Sequence, residues 1–182
     1  MTKIILAVII ISMTSIVSFF VSDFEKTLEG EGLTKEQLEQ TAYITKIFTI
    51  IGSPFLALIS IIITFFIFIV ISKIMKSKVS NKSVFSATLS YILFTGIVNF
   101  IVNFIQFIMG LSTSDYTITS LNIFDKGNEI LEAINLQYFI GAYIFGVMLF
   151  GTNKLTKGKT IIMAAIYLLI YIGFNMLSVL FN

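Results

Sequence analysis

The chain has no cysteine, no histidine and no tryptophan, only one proline, and a basic set made entirely of lysine. Each absence removes some chemistry. Without histidine and cysteine there is no imidazole base, no thiol nucleophile and none of the usual ligands of zinc, haem or iron–sulfur centres, so neither a metal nor a cofactor is expected. The missing cysteines say little about compartment, although they suit a bacterial membrane protein. Charge is also scarce. Charged residues are 12% of the chain and hydrophobic residues 57%, with a mean hydropathy of +0.98, far outside the range of soluble globular domains. The composition is that of an integral membrane protein, and no nucleic-acid partner is expected.

What fills the sequence instead is long apolar runs. A helix needs roughly 20 apolar residues to cross the hydrocarbon core, and five stretches qualify, at about 4–21, 54–72, 84–109, 136–152 and 160–181. The fourth is the shortest. No period-two pattern competes with them, so the fold class is all-α: a polytopic bundle of five transmembrane helices forming one membrane domain over 1–182. No repeat, low-complexity tail or linker divides the chain. The first run is longer than a signal-peptide core and ends in SFFVSDFE without an A-x-A-like site, which favours an uncleaved anchor over a cleaved signal. Its serines, Ser12, Ser15, Ser18 and Ser22, recur every three or four residues and lie on one face, suited to helix packing or, alternatively, to a polar conduit.

The loops sort by charge. Lys3 precedes the first run, Lys73, Lys76, Lys78 and Lys82 link the second and third, and Lys154, Lys157 and Lys159 link the fourth and fifth. All ten acidic residues fall in the two remaining loops. By the positive-inside rule the N-terminus is cytoplasmic and the C-terminus outside, in a cell membrane. The basic KIMKSKVSNK loop suits anionic lipid or an acidic partner, and equally suits topogenesis alone.

The stretch GLTKEQLEQTAYITKIFTIIGSPF, residues 32–55, begins charged and turns apolar. Thr34 with Gln37 fits a capping box, and Leu33 and Leu38 take the staple positions. An outer amphipathic helix over about 35–51 follows, lying at the membrane interface. Gly52, Ser53 and Pro54 form a hinge, with Ser53 as a new N-cap and Pro54 at the first helical position of the second span. An unbroken helix carrying the proline is the other reading, because membrane helices tolerate proline. In the second outer loop Asp125 fits as the cap of a short helix through NEILEAI, and Asn135 as the cap of the fourth span.

No Asp, Glu, Lys or Arg lies within a predicted span, which argues against proton pumping and cation-coupled transport. The most polar intramembrane cluster is Asn99, Asn103 and Gln106, at i, i+4 and i+7 on one face of the third span, with Thr64 and Asn175 able to approach it. Such amides either bridge helices or line a path for a polar solute or lipid headgroup. Gly141, Ala142 and Gly146 supply a small-residue packing step in the fourth span. Glu36 and Glu39 are the one carboxylate pair that an enzyme reading could use, and paired surface glutamates are ordinarily just solvated.

Pro54 opening the second span, Ser83, Val84 and Phe85 after a lysine-bearing loop, Tyr91 in the third span, and Gly151 ending the fourth before the basic run to Lys159 together resemble the Yip family of Ypt/Rab-interacting membrane proteins, in its bacterial form. The resemblance covers roughly 47–178. The chain departs from it at Asn135, where family members carry an Asp and a Trp, and lacks the signatures tied to Rab binding. The resemblance implies a five-helix protein of membrane trafficking, organisation or assembly, with bacterial relatives that support ABC-type exporters. The expected function is therefore a non-enzymatic accessory or scaffold protein, acting on the bilayer and on another membrane protein or a second copy of itself. The alternative is a small transporter or channel lined by the third-span amides. Lysine in place of arginine, with abundant Ile, Asn and Phe, suggests an AT-rich genome and a low-GC Gram-positive source.

Overall fold

The structure, a computed structural model, describes residues 1–22, 34–113, 117–126 and 128–181. The described residues form helices α1 (Thr2–Val21), α2 (Lys35–Ile74), α3 (Asn81–Ile108), a 3-10 turn (Leu121–Phe124), the single-turn α4 (Glu129–Glu132), α5 (Leu136–Gly151) and α6 (Lys157–Phe181). There is no strand among them, only an isolated bridge between Ser120 and Asn135. Four helices, α1, α2, α3 and α6, are long and apolar enough to cross a membrane. At 16 residues, α5 reaches only about 24 Å at 1.5 Å per residue, short of a hydrocarbon core of about 30 Å.

Beside an apolar core, large apolar side chains also cover the outside of the bundle and several polar ones are buried. Phe55, Ile62, Phe66, Leu169 and Phe174 are exposed, whereas Gln106, Asn153, Thr88 and Ser53 are fully buried. Lipid solvates the first set, and the second must find partners inside.

The helix starts follow local capping. Thr34 accepts from the Gln37 amide at 3.4 Å, and the Gln37 side chain accepts from the Thr34 amide at 2.9 Å, completing the capping box. Leu33, the other half of the staple, lies outside the described residues. Asn135 caps α5 as expected, its Oδ1 accepting from the Gln137 amide at 2.9 Å. Asp125 does not cap α4. Asn128 does, accepting from the Leu131 amide at 3.1 Å, while its own amide nitrogen donates to Asp125 at 2.9 Å. The cap must lie immediately before the first helical residue, and Asp125 is too far upstream.

The expected hinge is also absent as a turn. α2 runs as one helix of 40 residues with Pro54 inside it. Because Pro54 carries no N–H, the Ile50 carbonyl four residues back loses its helical donor. The hydroxyl of buried Ser53 donates to that carbonyl at 3.4 Å, so the helix continues where lipid offers no water to stabilise a break. Ser53 therefore repairs the backbone within the helix instead of capping a new one. The outer helix expected over 35–51 is correspondingly the first part of α2 and not a separate element.

How far α2 extends follows from its neighbours. Lys46 stands over the Phe20 ring, 5.0 Å from its centroid, and Phe20 meets Phe107 at 6.2 Å, so Lys46 is level with the adjoining ends of α1 and α3. The preceding turns extend about 15 Å past that level, and they are the polar ones, with Lys35, Glu36 and Glu39 all exposed.

α3 is the central element, packing on α1 and α2 on one side and on α5 on the other, while α5 packs on α6. The α1–α3 contact is close because Gly96 has no side chain: a Cβ there would stand 2.9 Å from Ile10 Cγ2. Gly146 plays the same part between α5 and α6, a Cβ meeting Thr160 at 3.4 Å and Ala164 at 3.5 Å. At one end the two lysine loops are hydrogen-bonded together, with Lys3 reaching Ser90 nearby at 3.2 Å. At the other, the Thr113 amide donates to the Val21 carbonyl at 3.0 Å, near Glu129 and Glu132. Among the described residues, the lysine loops and the Glu129–Glu132 segment thus lie at opposite ends of the bundle.

Gly96→Leu is expected to lower stability in mild detergent by about 1–3 kcal/mol through overpacking. Thermal unfolding of the Gly96→Leu/Ile10→Ala pair should recover much of the loss; no recovery would place the strain elsewhere.

Candidate functional site

The helices on the two sides of α3 meet in the basic half of the bundle. Phe68 of α2 packs edge-on against Phe145 of α5, centroids 5.1 Å apart, and Tyr91 of α3 shares a hydrogen bond of 2.7 Å with Tyr167 of α6. Toward the acidic end they leave a cleft, which consists of three adjoining cavities.

The outermost, about 430 Å³, is polar; Asn103, Glu129, Glu132, Asn135, Gln137 and Asn175 are among its walls. The next, about 320 Å³, is lined by Ser15, Ser60, Thr64, Thr95 and Asn99, with Gln137 common to both. The third, about 200 Å³, is apolar and opens onto the outside of the bundle, with Ile71 and Met163 and the exposed Ile67, Ile166 and Ile170 around it. Thr64, Tyr91, Tyr167 and Tyr171 line both of the last two. Polarity therefore falls steadily from the acidic end toward the middle of the bundle and beyond.

The amide stripe read from α3 divides between two tasks. Asn103 Nδ2 donates to Ser18 Oγ at 2.5 Å and ties α3 to α1, and Gln106 is fully buried. Asn99 is exposed and faces the middle cavity. Thr64 and Asn175 both reach the cleft, as expected, but from different cavities. The serine face of α1 divides likewise: Ser18 bonds to α3 and Ser15 lines the cleft. Glu36 and Glu39 stand on the protruding end of α2, away from this space.

Ser60, Gln137 and the tyrosines Tyr91, Tyr167 and Tyr171 complete the cleft and were not singled out as site residues from the sequence. The usable signal was tyrosine inside apolar spans, since a buried phenol needs a partner for its hydroxyl. Tyr167 also closely approaches α5, because a Cβ on Gly141 would lie 3.0 Å from its hydroxyl.

At the mouth, partial burial and the neighbouring Glu129 carboxylate push Glu132 above its ordinary value of 4.5. A carboxyl whose folded pKa is raised holds its proton longer in the folded state, so stability falls as pH rises from the unfolded pKa through the folded one.

The lysines of the basic loops also separate. Lys76, Lys78, Lys154 and Lys159 surround a pocket of about 610 Å³ between the loops, whereas Lys73, Lys82 and Lys157 are exposed but do not line it.

Two measurements test these assignments. Asn103→Leu should cost about 1 kcal/mol of stability, while Asn99→Leu should stay within about 0.5 kcal/mol; equal losses in denaturant titrations would remove the division of the stripe. Glu132→Gln should flatten the fall in Tm as pH is raised from about 4 toward neutrality, and an unchanged slope would place the responsible titration elsewhere.

No protein-family profile, no curated protein and no solved structure matches this chain.

Proposed function

We propose that the chain is a non-enzymatic accessory protein of the cell membrane that holds a lipid-like amphiphile in its cleft. The polarity gradient along the cleft carries this reading. Hydrogen-bonding amides and hydroxyls at the acidic end suit a polar headgroup, and the apolar cavity beyond the tyrosines suits a hydrocarbon chain. The apolar cavity lies against Phe68 and Phe145 and opens sideways between α2 and α6, where a hydrocarbon chain can enter from the bilayer.

In this reading α5 is a fifth span. Ser77 of one lysine loop and Ser83 in the first turn of α3 donate to the Asn153 and Thr152 carbonyls of the other loop, at 2.6 and 3.1 Å, so both loops sit at one end. A chain that leaves that end along α3 returns to it along α5. Its short length is accommodated by local thinning of the bilayer, at a modest cost. The positive-inside rule then puts the N-terminus in the cytoplasm and the cleft mouth outside. The Yip-like pattern is in keeping with five spans and with an accessory role without turnover, serving another membrane protein such as an exporter.

Native mass spectrometry of the full chain from mild detergent is the direct test. Phosphatidylcholine, which the lysine pocket described below does not prefer, should be retained, lost on Ile166→Trp, which fills the apolar cavity, and kept on Leu169→Trp, whose side chain is 70% exposed outside the cleft. A chain that retains no lipid, or loses it equally with both substitutions, would overturn the reading.

A further inference from the structure

At the opposite end of the bundle, the pocket between the two lysine loops is independent of the cleft and of the reading given to it. We propose that this pocket binds the phosphate of an anionic headgroup, supplied by a lipid of the adjoining leaflet.

The first support is charge. Lys76, Lys78, Lys154 and Lys159 ring the pocket and no carboxylate lines it; neither loop, 73–82 or 152–159, contains an acidic residue. The like charges therefore lack an internal counterion, and their mutual repulsion is relieved by an external anion.

The second is that the pocket is built, not merely a run of mobile lysines. Asn153 is fully buried and its Nδ2 donates to Ser72 Oγ at 2.7 Å. Ser77 and Ser83 donate to backbone carbonyls of the opposite loop, as described above. Lys159 Nζ donates to the Met75 carbonyl at 2.8 Å, holding that ammonium across the gap between the loops. These bonds fix the two loops and the Lys159 ammonium relative to each other before any ligand arrives, which lowers the ordering cost of binding.

The third is the remaining lining. Ser80 and Thr156 supply hydroxyls, and Ser80 caps α3, whose positive end therefore opens beside the pocket. Met75, Val79 and Leu155 add apolar surface, and the nearby Ile74 and Ile161 are exposed, as lipid-facing residues are. A lipid headgroup satisfies the polar part while its chains remain against those helices. A soluble phosphate satisfies only the charge.

The test uses the full chain in mild detergent with phosphatidylglycerol or phosphatidylcholine, read by native mass spectrometry. Phosphatidylglycerol should be retained about tenfold better. Lys76→Asn, Lys78→Gln and Lys154→Asn together should abolish that preference. Asn suits positions 76 and 154, where φ is 54° and 53°, because it tolerates the left-handed region. Lys46→Gln, at the far end, should leave the preference intact. Displacement of the lipid by millimolar inorganic phosphate, in the wild type only, would support the same phosphate chemistry with a soluble source; retention of the lipid against phosphate would support the lipid. Equal retention of the two lipids by the wild type, or a preference unchanged in the triple variant, would overturn the proposal. Should the variant not fold, the wild type decides: a preference that survives about 0.5 M salt, where charges are screened within a few ångströms, overturns it too. The cleft substitution Ile166→Trp should leave the preference unchanged, which separates failure here from failure of the cleft reading.

Discussion

Polar groups surrounded by lipid have no water to fall back on, and this constraint governs almost every detail of the bundle. It keeps the backbone helical through Pro54, where the Ser53 hydroxyl takes over the carbonyl that proline leaves without a donor. It also determines what holds the helices together. Lipid tails are as apolar as leucine, so burying leucine between helices brings little advantage, and adhesion has to come from close van der Waals contact and internal hydrogen bonds. Gly96 against Ile10, Gly146 against Thr160 and Ala164, and Asn103 against Ser18 are where that adhesion is visible.

The same constraint explains how the two ends differ. The basic end is a finished joint, its loops bonded backbone to side chain around buried Asn153. At the acidic end, the single-turn α4 and the 3-10 turn are folded back on the start of α5 by the Leu121–Ile134 and Leu136–Thr119 backbone bonds at 3.1 and 2.8 Å. Phe68, Tyr91, Phe145 and Tyr167 come together across the bundle, and the cleft runs along them toward the acidic end. A gradient results, from the amides and carboxylates of the outer cavity to the isoleucines of the apolar one. Such a space favours binding by shape and hydrogen bonding.

Particular residues show why some of this was readable in advance. The capping box at Thr34 and the cap at Asn135 are local events, decided by residues two or three positions apart, and both formed as read. Asp125 failed as a cap for an equally local reason, since Asn128 stands nearer the helix start. Pro54 is ambiguous from sequence, because whether a proline starts a helix or sits within one depends on whether the orphaned carbonyl finds another donor. The stripe of Asn99, Asn103 and Gln106 has a clear helical spacing, but its neighbours decided which amide bonds to a helix and which faces a cavity.

Composition and charge order by themselves determined that the chain is helical, that several of its helices are apolar enough to cross a membrane, and that lysine-rich and acidic loops alternate along it. These follow from hydropathy summed over windows and from the sign of side-chain charges, properties that need no knowledge of contacts. The tertiary structure alone decided that the two lysine loops join around one pocket, that Tyr91 bonds to Tyr167, and that a graded cleft opens between the two sides of α3. Those features depend on residues some 70 to 80 positions apart coming within hydrogen-bonding distance, and such meetings are set by how whole helices pack, not by the pattern along any one of them.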